Sequence, residues 1–201
     1  MLRTSIVINR EFGSGGREIG RRLSEQERME FYDTRILQDA ASSHGIAPNA
    51  LAALDEKLSA GQFLDMSALG GSNAGTLTVP YVLYSATADV ITAAATTRPA
   101  VFIGRCADRI LHDAHIPFLN VFIFSTNIEK KIARATRVDG VAPRDAKKYI
   151  AKMDKARSHY QQFFTGTRFG DYHQYDLCLN SAHLGYTGCV DSIRVAAQAG
   201  G

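Results

Sequence analysis

The sequence predicts a three-layer α/β fold, a parallel five-stranded sheet flanked by helices. Two observations carry that reading. Short apolar runs alternate along the chain with amphipathic stretches of helical length, the order that builds successive βαβ units. One of those runs, Phe118–Phe124 (FLNVFIF), is apolar almost throughout, as a strand covered on both faces of a parallel sheet must be.

Each element follows from local signals. Residues 5–9, with Ile6, Val7 and Ile8, form the first strand, followed by a glycine-rich turn and a helix to about Arg28. Glu30–Tyr32 is a short strand running into another helix. The helical pattern continues from 40 to 68 with interruptions at Gly45, Pro48 and Gly61. Residues 69–79 (LGGSNAGTLTV) are rich in glycine, serine and threonine and predict a mobile loop. A helix over 80–97 turns Val82, Leu83, Ala86, Val90 and Ile91 inward. Ala100–Ile103 is a strand, and 106–112 starts a helix. After Phe118–Phe124, residues 127–137 are helical and basic. A long amphipathic helix over 142–165 carries Pro143 in its first turn, where a missing N–H costs nothing. Residues 175–179 form the last strand and 190–197 a closing helix.

The segment SIVINREFGSGGREIGRRL, residues 5–23, is the most informative. Gly13, Gly15 and Gly16 let backbone N–H groups converge on an anion without interference from Cβ atoms. The following helix adds unpaired N–H groups and the positive end of its dipole. This strand–loop–helix order suits a polyphosphate. The loop differs from the Walker A pattern, in which a lysine reaches the phosphates and a Ser/Thr hydroxyl meets Mg2+. With Gly16 as the last glycine, Glu11 takes the first glycine position, Arg17 the lysine position and Glu18 the hydroxyl position. Arg17 still supplies positive charge, as a planar fork. In another register, Ser14 supplies the hydroxyl.

Composition narrows the classes. At 201 residues, 45% hydrophobic and 21% charged, the chain suits one domain, or one with a small insert, and a sizeable core. The net charge of +3 is mild, and basic residues are scattered, which argues against nucleic acid. No signal peptide or membrane-length apolar run is present, so the cytoplasm is the expected compartment. Cys106, Cys178 and Cys189 have no CxxC spacing and read as buried free thiols. His112 and His115 read as surface residues, and no metal-ligand set is expected.

Four segments in order resemble the nucleoside monophosphate kinases, most closely the cytidylate kinase-like proteins: REFGSGGREIG, FYDTRIL, FIGRCADRIL and FLNVFIFSTNIEKKIARATR. GDYHQYDLCLNSAHLG also looks like the ending of a divergent branch of that family. The match covers roughly 5–37 and 100–181. It implies a P-loop kinase-like fold with a helical acceptor-binding insert at about 40–98 and a lid at about 134–157. It further implies ATP with Mg2+ as donor and a nucleoside monophosphate as partner. Gly13, Ser14, Gly15, Gly16, Arg17 and Glu18 would hold ATP. Asp33, Arg35, Arg105 and Asp108 would hold the acceptor, Arg105 on its phosphate. Arg17, Arg134, Arg137 and Arg157 would stabilise the transferring group.

The residues support parts of this unaided. Arg105 follows a buried strand and Gly104, placing a guanidinium at the carboxyl end of the sheet, where open α/β folds bind ligands. Asp108 could orient Arg105 or accept from the acceptor base or sugar. Asp33 stands at a similar edge and could bind a hydroxyl or a metal-bound water; Asp33 with Thr34 equally makes a helix N-cap. Three functions remain open: a CMP or dCMP kinase, a kinase of another small molecule, and a nucleotide-binding sensor without turnover.

Overall fold

The computed structural model describes residues 2–33 and 74–199. In chain order the elements are β1 (Ser5–Arg10), α1 (Gly16–Glu27), β2 (Glu30–Tyr32), α2 (Ala74–Thr97), β3 (Ala100–Ile103) and α3 (Ala107–Asp113). They continue with β4 (Phe118–Phe124), α4 (Ile128–Asp139), α5 (Pro143–Thr165), a 3-10 turn (Tyr172–Gln174), β5 (Leu177–Asn180) and α6 (Ser181–Ala199). The strands make one parallel sheet in the order β2-β3-β1-β4-β5.

Two-residue periodicity splits the strand side chains between two cores. Ile6, Ile8, Val101, Ile103, Val121 and Ile123 pack beneath α1 and α6, against Ile19, Leu23, Val190 and Ile193. Val7, Ala100 and Phe102 point to the opposite face, against Ile91 of α2 and Ala107, Ile110 and Leu111 of α3. Gly20 lets α1 lie close on this sheet: a Cβ there would stand 2.7 Å from Ile103 Cδ1. Because β1 sits between β3 and β4 while the chain crosses to each in turn, its carboxyl end is the switch point where open sheets form a crevice.

A third cluster joins the helical hairpin α4–α5 to the loop after β1. Phe12 packs with Ala135, Ala146 and Ile150 and meets the Tyr149 ring edge-on at 5.4 Å. Asn127 caps α4 by accepting from the Lys130 N–H at 2.8 Å, and Gly140 ends it in the left-handed region.

Several expectations are corrected. Residues 74–79, expected in a loop, are the first turns of α2; the downstream helix is already nucleated, and propagation through weak formers is cheap. Val82 is 41% exposed. The buried stripe is Leu83, Ala86, Thr87 and Ile91, one position out of phase with Val82, and Thr87 returns its hydroxyl to the Leu83 carbonyl at 2.7 Å. β5 starts at Leu177 rather than 175, since the turn over Tyr172–Gln174, capped by Asp171, carries the chain into it. Helix begins at Ser181 instead of 190: α6 is two helical stretches that meet at a kink, where Gly185 is non-helical (φ 65°, ψ 179°). Cys106 and Cys189 are buried thiols, whereas Cys178 is exposed near the end of edge strand β5. Residues 34–73, with Arg35 and much of the expected insert, lie outside the described residues. No helix among the described residues is long and apolar enough to cross a membrane.

Candidate active site

The loop between β1 and α1 is a cradle of N–H groups. Gly15 is the N-cap of α1 at φ 84°, ψ 6°, a left-handed conformation that glycine adopts without strain. Glu11 N–H goes to the Ile123 carbonyl, Ser14 N–H to Glu11, and Phe12 N–H to Asp154 Oδ1. Among the described residues, the N–H groups of Gly13, Gly15, Gly16, Arg17 and Glu18 have no acceptor. They leave the first turn of α1 and its dipole facing any anion that enters. Ser14 is 1% exposed and gives its hydroxyl to the Glu11 carbonyl at 2.9 Å. From α6, Ser181 Oγ donates to the Ser14 carbonyl at 2.7 Å and fastens the loop from behind.

Beneath the loop lies an ion network. Lys131 of α4, 8% exposed, reaches Glu11 Oε2 at 3.1 Å and Asp154 Oδ2 at 3.3 Å. Glu11 also accepts from the Ser125 N–H at 3.1 Å. A Cβ on Gly13 would stand 3.0 Å from Lys131 Cβ, so the loop rests on this lysine. Burial pushes the Asp154 carboxyl upward, and the Phe12 N–H, Lys131 and Arg157 pull it back. In the sequence Asp154, with Arg157, loosely resembles the family's Arg-Asp-x-Arg-type segment, whereas Glu11 and Lys131 have no role assigned. Glu11 looked like a misplaced residue in the glycine pattern, and contacts across 120 residues have no local signature.

Arginines gather at the crevice. Arg10, at the end of β1, lies against Gly104. Burial lowers its guanidinium's affinity for the proton; Arg157, Arg105 and Arg17 add to that effect, and Asp33 opposes it. Arg17 pairs with Asp33. Arg157 donates to the Arg10 carbonyl at 2.9 Å, stands 3.9 Å from Asp154 and lies 5.3 Å over the Phe12 ring. Arg105 is held in the left-handed region at φ 59°, between Gly104 at 67° and Cys106 at 55°. Such non-glycine residues cost of order 1–3 kcal/mol each and persist where surrounding structure enforces them. Arg10, Arg105 and Arg157 line a cavity of about 170 Å³ with Asn9, Cys106, Tyr160 and Phe169 among its walls. Arg10 was missed in the sequence because it reads as a strand terminus.

The remaining candidates are spread out. Glu18 is folded back along α1, accepting from Arg22 Nε at 2.8 Å and an Arg21 nitrogen at 2.9 Å. Burial pushes its carboxyl upward and these arginines more than offset it, leaving it below the usual range. Arg134 donates to the Tyr186 hydroxyl at 3.0 Å. The Tyr186 ring lies against Gly15, where a Cβ would stand 2.5 Å from it, and between Arg22 and Arg134. Arg137 is exposed near the end of α4. Asp108 is in the first turn of α3, just after Arg105 and Cys106, and burial raises its carboxyl. The expected lid, 134–157, comprises the end of α4, a short turn and the first part of α5.

Comparison with known proteins agrees with this architecture. The sequence model of the cytidylate kinase-like family matches residues 5–183. A crystal structure of an uncharacterised protein from Eubacterium ventriosum superposes with a TM-score of 0.72 at 23% identity, over 97% of this chain and 98% of that one. Shikimate kinase from Bacteroides thetaiotaomicron gives 0.54 at 11% identity, over 97% and 98% of the two chains. Shikimate kinase from Acinetobacter baumannii, in complex with shikimate, gives 0.51 at 11%, over 98% and 96%. No curated protein matches the sequence significantly.

Proposed function

Because the chain belongs to the cytidylate kinase-like family, we propose that it is a small-molecule kinase, transferring the ATP γ-phosphoryl group to a nucleoside monophosphate, CMP or dCMP first. The observation that carries this is the meeting of the N–H cradle with Arg10, Arg17, Arg105 and Arg157. Guanidiniums brought together in a crevice repel one another, and an entering phosphate relieves that repulsion through charge-assisted contacts.

The division of labour follows from position. Gly13 to Glu18 would hold the donor phosphates on their N–H groups, with Arg17 beside them. Arg105, with Arg10 and Arg157, would hold the acceptor phosphate, and Arg134 and Arg137 would add charge from the hairpin. An acceptor phosphate is already a nucleophile, so the protein needs to align and neutralise rather than abstract a proton. The residues fit a polyphosphate better than a metal cage: among the described residues no three histidine, cysteine or carboxylate groups converge, and Asp33 is tied to Arg17. Mg2+ would come bound to the phosphate oxygens of ATP and to water.

Arg105→Ala tests the acceptor side. It should raise the acceptor KM roughly ten- to a hundredfold, lower kcat and spare the ATP KM. Unchanged acceptor kinetics would remove Arg105 from the site. A second reading, a nucleotide sensor without turnover, draws on the loop itself: Ser14 turns its hydroxyl inward, and Arg17 is paired with Asp33. It predicts stabilisation by ATP with no ADP released in the presence of any acceptor.

A further inference from the structure

Arg10 runs between the two halves of the crevice. Its stem lies under the first residue of α1: a Cβ on Gly16 would stand 2.6 Å from Arg10 Cβ and 3.0 Å from its Cγ. Its guanidinium ends against Gly104, the residue before Arg105, where a Cβ would collide with Nη1. The side chain therefore starts at the phosphate cradle and finishes in the wall of the cavity shared with Arg105 and Arg157. The backbone beneath it is held from two sides. Arg10 pairs with Ile123 of β4 in the sheet, and its carbonyl accepts from Arg157 Nη1 at 2.9 Å. A side chain rooted in a rigid strand and threaded between two backbones has little freedom to aim elsewhere.

The cations around the loop differ in what neutralises them. Arg17, which takes the lysine position of the Walker pattern, is paired with Asp33, and its side chain is 63% exposed. Lys131 lies between Glu11 and Asp154. Arg157 stands 3.9 Å from Asp154. Arg10 meets no carboxylate or other acceptor among the described residues, and Asp33, whose charge favours its own, is engaged by Arg17. Burial and the charges of Arg157, Arg105 and Arg17 all work against the charge it carries. A fixed guanidinium that faces a cavity without an acceptor is completed by an anion. The cradle N–H groups lie at one end of this side chain and Arg105 at the other. Of the phosphates on a polyphosphate held by the cradle, the one nearest the acceptor is the terminal one.

We propose that Arg10 is a catalytic residue that bridges donor and acceptor: its guanidinium contacts the terminal phosphoryl group of ATP, the part a lysine takes in the Walker pattern, and Arg17 stands outside that contact. The inference rests on the reading of the crevice given above, in which Arg10 stands with the acceptor phosphate, and adds the donor's reacting group to its contacts. In the transfer, an acceptor phosphate oxygen forms a bond to the γ-phosphorus. The bond to the β–γ bridging oxygen breaks, and its electron pair leaves on ADP. Arg10 stays on the non-bridging oxygens throughout, and no proton moves to or from it.

The test is calorimetric titration of Mg-ATP and Mg-ADP, without acceptor, into the parent protein, Arg10→Met, Arg10→Gln and Arg17→Met. Melting temperatures are measured without ligand alongside. The parent should bind ATP about tenfold tighter than ADP, the margin of one charge-assisted hydrogen bond to the terminal phosphoryl. Arg10→Met and Arg10→Gln should lose that margin and keep the parent's affinity for ADP, whereas Arg17→Met should keep the margin. Without ligand, Arg10→Met should melt above the parent, because a crowded and unpaired charge is gone. The two Arg10 variants are read alike, so if one fails to fold the other decides. A margin that survives in the Arg10 variants, or is lost in Arg17→Met instead, overturns the proposal and leaves the ATP reading standing. Arg10 variants that melt below the parent and weaken both nucleotides in step assign the residue to structure and overturn it too. A parent that binds both nucleotides equally overturns the contact alone, and a parent that binds neither overturns it together with the ATP reading.

Discussion

Lys131 is a buried amine held between two carboxylates, directly under the loop that would carry phosphate. Removing one partner of such a group leaves the others uncompensated, at a cost of roughly 3–5 kcal/mol when burial is complete. Glu11 and Asp154 keep 31% and 24% exposure, so Lys131→Met should fall at the low end, about 3 kcal/mol. Urea unfolding should show a lower midpoint at unchanged m. A midpoint equal to the parent's would mean that the network contributes nothing net. Asp108 should behave oppositely. Burial raises its folded-state carboxyl above the ordinary value of 3.8. Between that value and the raised one the folded state binds more protons, so stability falls as pH rises through the window. Asp108→Asn removes the penalty: it should melt higher than the parent at pH 7, by about 2–4 °C for each kcal/mol relieved, and show no gain near pH 3.8. An equal gain at both pH values would assign the effect to packing instead of charge.

At the scale of elements, the loop's shape depends on Gly15. Alanine there meets two separate obstacles: the positive φ of 84° and the Tyr186 ring 2.5 Å from its Cβ. Gly15→Ala should therefore abolish stabilisation by ATP, as read by melting temperature. Adding Tyr186→Ala should not restore it, because the backbone strain persists. Full recovery in the double variant would show that crowding alone was at fault. Element boundaries were legible where an apolar run is bracketed by turn residues, as at Glu30–Tyr32, Ala100–Ile103 and Phe118–Phe124. They were not legible where two helical stretches meet at a glycine kink. Gly185 interrupts α6 at a kink, and a further helical stretch precedes it from Ser181. Residues 74–79 are weak helix formers that extend a helix nucleated further on.

For the whole molecule, the sheet order β2-β3-β1-β4-β5 brings the loop after β1 and the turn after β3 to one crevice. The hairpin α4–α5 closes against it through Phe12 and Arg157. Motif order in the sequence was enough to indicate this fold and to single out Arg17, Arg105 and Arg157. Their companions Arg10 and Lys131 escaped notice, because burial and pairing between distant segments leave no periodicity to read. Ligand binding at such a site stabilises the whole fold by about 2.7 kcal/mol at a hundred times Kd. ATP should therefore raise the melting temperature, and added salt should weaken the rise.

The most direct test of the account is ADP formation from Mg-ATP by the purified protein with CMP, dCMP, UMP, AMP, GMP or no acceptor. The account predicts ADP release that depends on CMP or dCMP and is absent without an acceptor. ADP release that none of the monophosphates increases, from protein that ATP still stabilises, would contradict it.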